Sequence, residues 1–149
     1  MLRLLYTSFA FAVVGVLSGL FYRELTKAHD FTDRSGSQLP LVHTHFLVLG
    51  FLVLLLVLVL ERVLRVGEAA PRLSGWFYWT WTAGVTLTGG MMLVKGSLTV
   101  LGADASSPAL AGIAGLGHML LTAGVVLLFL ALRRAVVAGT SVQAAPAAA

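Results

Sequence analysis

The stretch Leu39-Pro-Leu-Val-His-Thr-His-Phe-Leu-Val-Leu-Gly50 sets two histidines, His43 and His45, at the head of a run that stays apolar to Leu60. Roughly 20 mostly apolar residues suffice to cross the hydrocarbon core of a bilayer as a helix. Pro40 suits the first turn of such a helix, where its missing amide hydrogen is no loss. An imidazole entering hydrocarbon alone is costly, so the pair needs a hydrogen-bonding neighbour, a metal or a water-filled cavity.

Three further apolar runs flank this one, at about residues 4–22, 76–101 and 109–132. The chain is 58% hydrophobic and only 11% charged, whereas about a quarter of a soluble domain is charged. The expectation is an all-α integral membrane four-helix bundle over residues 1–134, running up-down-up-down, with a disordered low-complexity tail at 135–149. The first run is expected as a permanent span, because no small-x-small cleavage site follows it and the chain goes on through Arg23 and Glu24.

Most of the basic residues stand beside helix ends, where membrane proteins place them, so the formal charge of +4 does not point to nucleic acid. Arg3, Arg62, Arg65, Arg72, Arg133 and Arg134 fall on one side, against Arg23, Lys27, Arg34 and Lys95 on the other. The positive-inside rule then places both termini in the cytoplasm, the histidine-bearing ends outward, and the protein in the bacterial cytoplasmic membrane. There is no cysteine, which removes disulfides, thiolate metal sites, c-type haem attachment and cysteine-held iron–sulfur clusters.

At ~1.5 Å per residue, His43 and His45 lie roughly 8–10 Å below the outer boundary, Lys95 about 10 Å, and Met91, Met92 and His118 about 15 Å. Imidazoles in one layer of a helical bundle, set among small residues, are a usual place for a haem or a metal. Ala114, Gly115 and Thr122 clear space around His118. Two residues apart on a helix, His43 and His45 differ by ~200°, so only one faces the bundle. His43, sharing its face with Leu47 and Gly50, is expected as the ligand, with His45 a hydrogen-bonding or second-site residue, or the two exchanged. Lys95 and Arg23 are the expected counter-ions for haem propionates, with Tyr22 beside them, and Met91 or Met92 could be an axial or soft copper ligand.

The segments Tyr22-Arg-Glu-Leu-Thr-Lys27, His43-Thr-His45 followed by Gly50, Met91-Met-Leu-Val-Lys-Gly96 and Gly112-Ile-Ala-Gly-Leu-Gly-His118 together resemble a small bacterial four-helix membrane family of unknown function. That resemblance implies a membrane fold and no established activity. More distantly, a His-x-His opening a helix is similar to helices of the haem-copper oxidase and nitric oxide reductase catalytic subunits, where such histidines hold haem or copper. This chain has too few histidines for a complete centre of that kind.

The leading expectation is a b-type haem protein for electron transfer or gas and redox sensing, with His118 on one side of the iron and His43 or His45 on the other. The alternatives are a copper or zinc site of His43, His45 and His118, and a small transporter or assembly subunit whose ionisable residues line a path. The expected partners are the lipid bilayer, a redox partner such as a quinone or another membrane protein, and a second copy in a homodimer.

Overall fold

The computed structural model describes residues 1–32 and 36–143, with side chains to residue 139; Arg34 and the end of the tail lie outside them. Every regular element among those residues is helical. The helices are α1 (Leu2–Ala28), α2 (Leu39–His45), a π-helical segment (Phe46–Leu52), α3 (Val53–Leu64), the short α4 (Val66–Ala69), α5 (Pro71–Val100) and α6 (Pro108–Gln143).

Three helical stretches are long and apolar enough to cross a membrane: Leu2–Ala28, Leu39–Leu64 and Pro108–Gly139. The fourth long helix, α5, carries Lys95 and a series of threonines, and it is the most enclosed. Its Phe77, Tyr78, Trp81, Val85, Thr88 and Gly89 are all buried. Around α5 stand α1, α2, the π segment, α4 and α6. The side chains that fill the core are large and apolar, with Phe77, Leu39, Leu54, Val42 and Val85 almost wholly enclosed.

Glycines set the closest approaches. A Cβ placed on Gly84 would fall 2.9 Å from the Leu121 amide nitrogen, and one on Gly96 2.6 Å from the Leu39 amide nitrogen, so backbone meets backbone at both crossings. Where α1 meets the π segment, Gly15 takes the Leu47 side chain and Gly50 the Phe11 ring. Such contacts suit helices in lipid, where dispersion and close packing replace the hydrophobic drive.

Helix ends differ from the sequence expectation in three places. The second apolar run continues to Leu64, where Arg65 adopts a left-handed conformation (φ 50) and stops it. Residues 61–72, which lie between the second and third apolar runs, are largely helical, because α4 forms there and Pro71 opens α5 at a position that requires no amide donor. The tail expected from Ala135 is helical through Gln143. Ala131 and Ala135 account for that: both are buried against Val66 and Ala70, so α4 holds the last turns of α6 in place.

Candidate functional site

The two contacts that decide the site are neighbours on α5. Thr88 faces α6, where a Cβ on Gly117 would fall 2.5 Å from its hydroxyl oxygen, and Gly89 faces the π segment, where its Cβ would meet the Phe46 ring at 2.6 Å. His118 is the residue after Gly117, and His45 is the residue before Phe46. The two imidazoles therefore stand at one height, on either side of α5.

They also turn the same way. Both α2 and α6 run antiparallel to α5, as the pairs Leu39 with Gly96 and Phe46 with Gly89, then Gly117 with Thr88 and Leu121 with Gly84, require. A right-handed helix advances ~100° per residue. One step back from Phe46 and one step on from Gly117 then carry His45 and His118 toward the same corner outside α5. Among the described residues α2 and α6 do not touch, which leaves that corner open; His45 is half-buried and His118 exposed.

The ring geometry of the two is the same. His45 Nδ1 lies 3.0 Å from the Leu41 carbonyl oxygen, and His118 Nδ1 lies 3.0 Å from that of Ala114, each four residues back on its own helix. A carbonyl only accepts, so both Nδ1 atoms carry the proton and both Nε2 atoms of the neutral rings keep a lone pair. That is the tautomer in which imidazole binds a metal, with its other nitrogen fixed by a backbone carbonyl.

Met92 is three residues after Gly89 and four after Thr88, which places it between the two contact lines, on the floor of the corner. Met91 falls on the far side of Thr88. Lys95 is two turns above Thr88 on the same face, half-buried near the end of the span. Below, Trp81 closes the corner: its ring packs on Gly124 of α6 and its Nε1 donates to the Leu49 carbonyl, 2.9 Å away.

His43 points elsewhere. Its Cβ and Cγ approach Gly19 of α1, and its Nδ1 is buried with no hydrogen-bond partner among the described residues. The expectation that His43 rather than His45 faces His118 is therefore replaced by the reverse assignment, because the α1 glycine face takes up the His43 ring. Nor do the three histidines form one cluster: among the described residues no three His, Cys, Asp or Glu side chains converge as a metal site.

Tyr22 and Arg23 line a different feature, an open cleft of about 470 Å³ at the outer end of α1, shared with Thr26, Lys27, Asp30, Phe31 and Thr32. Arg23 is largely exposed and pairs with Glu24 at 3.5 Å. Lys95 is not among the cleft residues; it stands on α5, and Arg23 on α1. Sequence reasoning did not single out Trp81, which lies inside the third apolar run. Nothing in residues 46–52 announced a π helix.

An all-helical chain with three helices long and apolar enough to cross a membrane is thus the class that the fold defines. The chain belongs to the family described as protein of unknown function (DUF2871), whose model matches residues 1–135. No curated protein and no solved structure matches it.

Proposed function

We propose that the protein is a four-helix membrane b-type haem carrier for electron transfer, with His45 and His118 as the two axial ligands in the groove between α2 and α6. The observation that carries the reading is the matched pair of Nδ1–H bonds to the Leu41 and Ala114 carbonyls, which leaves two Nε2 lone pairs at one height toward one opening. When bound, the haem supplies one-electron exchange at iron.

The chain's own groups do the rest. The two carbonyls hold the rings in the ligating tautomer and orientation. Met92 and Trp81 give the groove an apolar floor, and Lys95 offers an ammonium to a carboxylate near the membrane surface. With His45 and His118 both holding the iron, a small gas would have to displace a histidine to bind, which favours electron transfer over gas chemistry. The distribution of arginines supports a cytoplasmic location for both termini and an outward-facing groove.

The test is spectroscopic. Protein made with ample haem, or reconstituted with it, should show a Soret band and a low-spin six-coordinate spectrum. His45→Ala and His118→Ala should each lose the low-spin form, and His43→Ala should keep it. No Soret band under either condition refutes the proposal; loss of the low-spin form in His43→Ala alone refutes the ligand assignment.

A further inference from the structure

The π segment begins at Phe46, directly after His45, and its chemistry can be followed bond by bond. The Val53 amide donates to the Val48 carbonyl, five residues back, and so passes over Leu49, its ordinary α-helical acceptor. The Leu49 carbonyl is the oxygen to which Trp81 Nε1 donates, at 2.9 Å. An indole from α5 thus supplies a donor to the acceptor that Val53 has bypassed.

The same ring holds the opposite wall of the groove. A Cβ on Gly124 of α6 would fall 3.0 Å from Trp81 Cε3. One buried side chain therefore reaches both helices that carry the paired histidines, about two turns below Thr88. A π turn takes up one extra residue relative to an α turn, so its conversion to α would rotate α2 by ~100° relative to α3. Such a rotation takes His45 out of the corner that His118 faces.

From this we infer that Trp81 is a positioning residue: its indole N–H holds the π segment and its ring spaces α6, and together they fix the relative placement of His45 and His118. The inference rests on the proposed haem site for its purpose but not for its measurement.

The chain lacks cysteine, so Leu41→Cys on α2 and Met119→Cys on α6, both exposed, give two unique spin-label sites in the full-length protein. Pulsed electron–electron distance measurements are made without haem on this background, with Trp81→Phe, Trp81→Leu and a Tyr78→Phe control. Trp81→Phe keeps an aromatic ring but removes the N–H together with the bulk of the second ring, and Trp81→Leu removes the aromatic ring as well. The inference expects the distance distribution to shift or broaden in Trp81→Phe, more so in Trp81→Leu, and to stay put in Tyr78→Phe. An unchanged distribution in Trp81→Phe with folded protein overturns it, whatever the haem result. A shift in Trp81→Phe combined with a parent that binds no haem upholds the positioning role and refutes the haem reading. In haem-loaded protein, Trp81→Phe should convert part of the low-spin spectrum to high-spin with the haem content retained, an effect that simple loss of core packing would not select.

Discussion

Gly84 on α5 offers the sharpest test of the α5–α6 contact that aligns the groove. Its missing Cβ would lie 2.9 Å from the Leu121 amide nitrogen and 3.1 Å from the Gly117 carbonyl oxygen. Both are backbone atoms of α6 and cannot swing aside. Restoring ordinary contact, at about 3.4 Å or more, forces the two helices apart by about half an ångström along that line. Overpacking of this kind costs about 1–3 kcal/mol. Against it stands the gain of about 0.5–1 kcal/mol for replacing a helical glycine with alanine. Gly90, one turn and a half along the same helix, has nothing within 4 Å of its Cβ, so Gly90→Ala receives the gain without the cost. Gly84→Ala should therefore fall about 1–3 kcal/mol below Gly90→Ala. Reversible unfolding in mixed micelles, with helicity as the signal, measures the difference. Equal stabilities for the two variants would refute the close backbone crossing, and with it the alignment of Gly117 against Thr88 on which the height of His118 depends.

Leu39 is fully buried against Gly96, and Leu39→Ala should destabilise by about 2–5 kcal/mol in the same assay. Thr7 and Tyr78 share a hydrogen bond of 2.7 Å between their hydroxyls, tying α1 to α5; Tyr78→Phe should cost about 0.5–1.5 kcal/mol. In the loop before α6, the Ser106 side chain and amide hold the Asp104 carboxyl below its ordinary value, the amide lying 2.8 Å from Oδ1. A depressed carboxylate stabilises the fold above its unfolded-state value and loses that contribution as pH falls. The parent should thus weaken more than Asp104→Ala on acidification below the ordinary carboxylate range, an effect readable from paired unfolding curves.

Three apolar runs were legible as membrane-crossing helices because hydropathy alone marks a segment of that length. Their ends were less legible. The turns of α6 beyond Leu132 are held by Ala131 and Ala135 against Val66 and Ala70, a long-range contact that no local pattern reveals. The site was half legible. His45 and His118 stand out as ionisable residues in apolar runs, and their height follows from counting residues. Which of His43 and His45 turns toward α6 depends on the phase of α2, and residues 46–52 are apolar on every side, so they carry no periodicity from which to read a phase. Gly19 against the His43 ring and Gly89 against Phe46 settle it in three dimensions. Arg23 and Lys95 looked like partners because a residue count puts them at similar depth; depth says nothing of azimuth, and of the two Arg23 alone lines the cleft at the end of α1.

The energetic case for a ligand in the groove turns on what the membrane leaves unsatisfied. A neutral imidazole has one donor and one acceptor. His45 and His118 both satisfy the donor within their own helix, so what remains to be matched on each ring is its Nε2 acceptor. Hydrogen bonding between them is impossible, since both rings have spent their proton on a carbonyl. Under the proposed function, a haem iron held by His45 and His118 would take up both acceptors at once. His43 meets its environment differently: its buried Nδ1 lacks a hydrogen-bond partner among the described residues and its ring rests on Gly19. His43 and His45, two residues apart, thus differ in whether Nδ1 finds a partner within the fold.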